Sequence, residues 1–169
     1  MIIESHKQTK LLGHDIIFEE MVNLFNNKTL PNKILLSGPK GIGKATLSYH
    51  FLNYIFSTNE DYTYNIKDKE INKNNTSFKL ITNHTHPNFY LIDIIEDNKN
   101  IEISQIRKMI QYSNKSSFNQ SPRFVIIDNL EFLNTSSVNA LLKIVEEPNN
   151  NLFFILIHNS NKIILDTLK

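Results

Sequence analysis

Apolar positions fall along the chain in blocks whose spacing changes from helical to strand-like and back. From Asp15 to Phe25, Ile17, Met21 and Leu24 recur at spacings of four and three, with Phe18, Val22 and Phe25 beside them. This pattern predicts a helix with one buried face. Leu30-Pro31-Asn32 interrupts it, and Ile34-Leu35-Leu36 follows as a short continuous apolar run. A run without alternation is expected of a fully buried strand in a parallel sheet. Leu47, Tyr49, Phe51, Leu52, Ile55 and Phe56 then lie in a segment free of Gly and Pro, which predicts a helix from Lys44 to Phe56.

The text from Ser57 to Ser77 is polar and low in complexity, and it is expected to form a mobile surface insertion. Phe89 to Ile94 reads as a second strand. Ser104 is placed to cap a helix carrying Ile106, Met109 and Ile110. Arg123 to Ile127 forms a third strand running into Asp128, and Thr135 or Ser136 is expected to cap a helix with Val138, Leu141, Leu142 and Val145, ended by Pro148. Leu152 to Ile157 makes a fourth strand that closes into His158-Asn159-Ser160. Strands alternating with helices predict a three-layer α/β domain over residues 1–169, built around a mostly parallel sheet.

Composition narrows the function classes without choosing among them. A formal net charge of +1 provides no overall field for nucleic acid or anionic lipid. The absence of cysteine excludes disulfides and thiolate zinc sites. The longest apolar run, Leu152 to Ile157, is far too short to span a bilayer, and a cytoplasmic protein is expected. Heavy use of Asn, Ile and Lys on all segments reflects AT-rich codons rather than a functional tract.

The densest chemistry lies in Ser37-Gly38-Pro39-Lys40-Gly41-Ile42-Gly43-Lys44-Ala45-Thr46. Three of the chain's four glycines fall within six residues, after a predicted strand and before a predicted helix. Such glycines let successive backbone N–H groups converge on a phosphate, and the helix adds its positive end. Lys44 is placed to reach β- and γ-phosphates. The hydroxyl that ligates Mg²⁺ directly after this lysine is missing, because Ala45 stands there and Thr46 comes one position late, about 100° around the helix. Asp128, at the end of an apolar strand, is expected to be the second element of a P-loop NTPase site and a weak Mg²⁺ ligand. Many hydrolysing members carry a glutamate next. This chain has Asn129, whose amide takes no proton. Glu131 reads as a surface carboxylate, and His84 and His86 as loop residues rather than a metal site. His158 and Asn159 are either near a γ-phosphate or simply a polar strand end.

Taken in order, "LLSGPKGIGKAT", "HPNFYLID", "IEISQIRKMI", "FVIIDNLEFLN", "NALLKIVEEP" and "FFILIHNS" resemble the delta-prime subunits of bacterial DNA polymerase III, clamp-loader proteins of the AAA+ type. Asn139 to Pro148 is the most specific piece, and the resemblance runs from about Leu12 to Lys169 outside the polar insertion. It implies strand order 5-1-4-3-2 and a pentamer with delta and tau/gamma subunits that places a sliding clamp on primed DNA. It also implies an ATP site assigned to Gly38, Pro39, Lys40, Gly41, Ile42, Gly43, Lys44, Ala45, Thr46, Asp128 and Asn159. Ala45 and Asn129 fit the degenerate sites of such subunits, so no catalytic residue is assigned.

The zinc module common in these relatives is replaced by the polar insertion, and no zinc is expected. A fifth strand, a lid and a collar are also missing, so a fragment or truncated form is expected, with the Ile34–Leu36 strand at an unpaired edge. The alternative function is an active ATP-hydrolysing AAA+ or other P-loop NTPase, such as a helicase loader or a nucleoside-monophosphate kinase. Having only Arg107 and Arg123 disfavours the kinase, which needs arginines for its phosphate acceptor.

Overall fold

A computed structural model describes residues 4–95, 100–115, 121–149, 151–164 and 166–168. The chain resolves into two compact units, one of residues 31–42 and 87–169 and one of residues 1–30 and 43–86, with a boundary inside the glycine loop between Ile42 and Gly43.

The first of these units contains the sheet. Its strands are β1 (Lys33–Gly38), β2 (Phe89–Ile92), β3 (Arg123–Ile127) and β4 (Leu152–Asn159). All pair in parallel in the order β1-β4-β3-β2. This is the order that the sequence resemblance implies, without the fifth strand among the described residues. β3 is buried along its whole length, as its unbroken apolar run requires. β1 is expected to be fully buried, but it is half-buried, because it lies at the edge of the sheet and pairs only with β4.

Helices α4 (Ile103–Ser113) and α5 (Thr135–Glu146) belong to the same unit. Ile106 and Met109 of α4 and Val138 and Leu141 of α5 share one core with Val125, Ile127, Phe154 and Leu156 of the sheet. Both helices start one or two residues earlier than expected. At α4, Glu102 rather than Ser104 is the N-cap, and the Gln105 side chain accepts from its N–H at 2.9 Å. At α5, Asn134 caps in place of Thr135 or Ser136 and accepts from the Ser137 N–H at 2.8 Å.

The C-terminus of α4 is held by a buried charge. Arg123 is 4% exposed, and its guanidinium donates to the carbonyls of Tyr112 at 3.1 Å, Ser113 at 3.1 Å and Lys115. The same guanidinium lies 5.7 Å from the Tyr112 ring centroid. An arginine is suited to this place because its fork reaches several carbonyls at once at the negative end of a helix, beside the Lys115 N–H on Tyr112 and the Asn149 amide on Ser113.

The other unit is helical, with α1 (Asp15–Asn26), α2 (Lys44–Phe56) and α3 (Thr76–Thr82). On α1 the buried face is Phe18, Met21 and Val22, and Ile17, expected among the buried positions, is 43% exposed. The segment expected as a surface insertion buries Tyr64 and Ile71. Tyr64 contacts the rings of Phe18, His50 and Tyr54. Glu60 accepts from the N–H groups of Thr76 and Ser77 at the start of α3 at 2.8 and 2.9 Å, and Asn75 caps the same helix through the Phe78 N–H at 2.7 Å. Lys69 pairs with Asp15 at 2.8 Å.

Two buried histidines sit in this unit. His50 accepts from or donates to the Tyr64 hydroxyl at 3.0 Å, and His86 stacks on Phe56 with centroids 4.1 Å apart. Burial pushes both imidazoles down to a pKa of about 4. No described helix is long and apolar enough to cross a membrane.

Candidate functional site

Parallel pairing brings the C-terminal ends of all four strands to one edge of the sheet, where ligands of open α/β sheets bind. Ser37 and Gly38 end β1, Asp93 follows β2, Asp128 and Asn129 follow β3, and His158 and Asn159 end β4. Gly38 and Asn159 are register partners, as are Ser37 and His158.

The β1 and β4 ends are tied by side chains as well as by the ladder. Ser37 Oγ lies 2.9 Å from His158 Nδ1, and His158 Nε2 lies 3.0 Å from the Lys162 carbonyl. A carbonyl only accepts, so Nε2 carries the proton, and in the neutral ring Nδ1 accepts from the Ser37 hydroxyl. Both ring nitrogens of His158 are thus engaged within the protein, and the ring is only 6% exposed. The Ser160 N–H donates to the Gly38 carbonyl at 3.1 Å. The Asn159 N–H donates to Glu131 Oε2 at 3.1 Å, and its side-chain oxygen accepts from the Asn161 N–H at 3.1 Å. Glu131, expected as a surface carboxylate, is half-buried and ties β4 to the turn after β3.

Asn129 has φ 55, in the left-handed region that asparagine tolerates. Its N–H donates to Asp128 Oδ1 at 2.8 Å, and its side-chain amide donates to Asp93 Oδ1 at 2.7 Å. Asp93 Oδ1 also accepts the Ile94 N–H at 2.7 Å.

Lys44, Ala45 and Thr46 occupy the first turn of α2, half-buried, in the helical unit. Gly43 caps this helix with φ 97, and a Cβ there would stand 3.3 Å from His14 Nε2. Both facts require glycine at this position. Gly41 has φ 86 in the sheet unit. His84, at φ 53, contacts the ring of His6 with centroids 5.0 Å apart. Among the described residues no group of three His, Cys, Asp or Glu could hold a metal ion.

A family model described as DNA polymerase III, delta subunit, matches residues 13–169. The chain belongs to this family. Among curated relatives, this delta-prime-like clamp-loader domain is 26% identical over 135 residues to DNA polymerase III subunit delta' of Pseudomonas aeruginosa, covering 80% of the chain and 39% of the relative. It is 30% identical over 163 residues to DNA polymerase III subunit gamma/tau of Mycoplasma genitalium, covering 96% of the chain and 26% of the relative. It therefore spans well under half the length of the relatives it matches. Among solved structures, a gamma subunit-related protein of Thermotoga maritima superposes with a TM-score of 0.61 at 20% identity, over 88% of this chain and 42% of that one. That likeness supports the α/β fold.

Within this clamp-loader domain, two residues of interest escape a reading of the sequence. His14 has no motif of its own beyond Gly13-His14, and its approach to Gly43 is a tertiary fact. Asp93 carries a usable signal, since it ends an apolar strand in the same way as Asp128.

Proposed function

We propose that this chain is the nucleotide-site domain of a delta-prime-type subunit of the DNA polymerase III clamp loader, with weak ATP binding and little or no hydrolysis. The observation that carries the proposal is the bond between Asn129 and Asp93. The residue after Asp128 is an amide, and its side chain is engaged by the carboxylate just past the neighbouring strand β2. It accepts no proton, and one of its amide hydrogens is committed to Asp93.

The residues present fit a phosphate better than a metal. Gly41 and Gly43 have the positive φ that lets a loop turn its N–H groups to one point. In the sheet unit Gly38, Pro39, Lys40, Gly41 and Ile42 would supply this cradle, with Asn159 beside Gly38 in the ladder, and in sequence Gly43, Lys44 with its charge, and Thr46 follow. On the metal side, Ala45 has no hydroxyl, and Asp128 already accepts one backbone bond. When bound, Mg²⁺ would offset phosphate charge, and Asp128 is the carboxylate left to meet it. The partners are the tau/gamma and delta subunits, and the sliding clamp and primed DNA are reached through the complex in the cytoplasm.

The test is phosphate release and thermal shift with millimolar ATP and Mg²⁺. A small rise in Tm that disappears in Lys44→Ala, with phosphate release at background, is the expected result. Turnover typical of an ATPase and abolished by Lys44→Ala would overturn the non-hydrolysing reading and establish the alternative. Co-purification with tau/gamma and delta tests the partnership.

A further inference from the structure

We propose that His158 is a positioning residue for the glycine loop, its imidazole holding the exit of β1 to the turn that follows β4. The inference rests on the nucleotide-site reading above for its affinity readout alone.

β1 and β4 are unequal partners. β4 lies inside the sheet, between β1 and β3, and is buried over most of its length. The Asn159 N–H at its end is further held by Glu131 at 3.1 Å. β1 is half-buried and, among the described residues, has β4 as its one neighbouring strand. The glycine loop leaves from this less constrained strand, so the sheet fixes the β1 exit through β4. Two bonds do so beyond the ladder. The Ser160 N–H reaches the Gly38 carbonyl at 3.1 Å, and the His158 ring meets the Ser37 hydroxyl at 2.9 Å. Ser37 immediately precedes the first glycine of the loop.

The other edge of the ring closes the turn after β4. Residues 159–162 fold back on themselves, with the Lys162 N–H on the Asn159 carbonyl at 2.9 Å and the Asn161 N–H on the Asn159 side chain at 3.1 Å. His158 Nε2 then donates to the Lys162 carbonyl at 3.0 Å. One neutral ring thus accepts from residue 37 and donates to residue 162. At 6% exposure it has little access to water that could replace either partner.

The energetic consequence falls on the loop. Gly41 has φ 86, and glycine loses more backbone freedom on ordering than any other residue. An anchor at the loop's first residue that exists before a ligand arrives removes part of this cost from binding. Its loss should therefore weaken ATP and ADP alike, because the cradle meets phosphates that both carry.

Ser37→Ala and His158→Phe, each made in the whole chain, test this. At alkaline pH the ¹⁵N–¹H spectrum of the wild-type imidazole is expected to show Nε2 protonated and Nδ1 bare, with the Nδ1 signal moving toward the free-acceptor position in Ser37→Ala. A neutral ring protonated at Nδ1, or an Nδ1 signal unmoved in Ser37→Ala, would overturn the proposal. The ¹⁵N relaxation order parameter of the Gly41 amide is expected to fall in both variants, and an unchanged value would overturn it too. In nucleotide titrations both variants are expected to bind ATP and ADP about threefold to tenfold more weakly, the two nucleotides losing similar amounts. The double variant should bind no more weakly than His158→Phe alone, since the two residues act through one bond. Additive losses, or unchanged affinity in both variants, would overturn the proposal. Ser37 is exposed, so Ser37→Ala keeps the fold and carries every readout except the double-variant comparison if His158→Phe does not fold. If the wild-type chain binds neither nucleotide, the nucleotide-site reading fails, and the imidazole signals and the Gly41 order parameter decide the positioning role by themselves.

Discussion

Lowering the pH from 7 to 5 should weaken this fold through His50 and His86. His50 is fully buried and His86 is 9% exposed, and each has a pKa of about 4 in the folded chain, against about 6.5 when unfolded. The unfolded state therefore binds more protons between these values, and stability falls as the pH drops through this window. At pH 5 an unfolded imidazole is almost fully protonated and a folded one is mostly neutral. The difference is about 2 kcal/mol for each histidine and about 4 kcal/mol for the pair. Against a total of about 5–15 kcal/mol this is a large loss. For a chain of this size it corresponds to a fall in Tm of about 8–16 °C. His6, held down by burial and by His84, acts in the same direction. Urea unfolding at half-unit pH steps measures the slope, and His50→Gln and His86→Gln should each remove about half of it. A Tm that is flat between pH 7 and 5, or a slope untouched by both substitutions, would refute the argument.

Other outcomes follow from the packing. Arg123→Met should cost about 1–3 kcal/mol in urea unfolding, because it removes the charged donor from three carbonyls at the end of α4, two of which keep another donor, the Lys115 N–H and the Asn149 amide. Gly43→Ala should cost about 1–2 kcal/mol from the left-handed backbone and the His14 contact at 3.3 Å. Adding His14→Ala should recover only the contact part, as read by Tm.

The sheet and the helices α1, α2, α4 and α5 were legible because each is a long or strongly periodic apolar segment. The caps were misplaced by one or two residues where Ser, Thr, Asn and Glu compete for one position, as at Glu102 and Asn134. α3 and the anchors Tyr64 and Ile71 went unread for a different reason. A single apolar residue in polar text has no period, and its burial depends on partners such as Phe18 and His50 that lie far away in sequence. At the candidate site, the places of Asp128 just past β3 and of the loop glycines between β1 and α2 could be read from spacing alone. The tether from Asp93 to Asn129 depends on β2 lying beside β3, which pairing decides and spacing does not.

Strand order also sets the timing of assembly. Among the described residues β1 pairs only with β4, and Asn32, just before it, bonds the Leu152 carbonyl across a separation of 120 residues. At synthesis rates of about 5–20 residues per second, this part of the nascent chain waits on the order of 10 s before its neighbour leaves the ribosome. Closing so long a loop makes this contact late and slow. During that interval Ile34, Leu35 and Leu36 are an apolar strand without its ladder partner, open to mispairing with another chain.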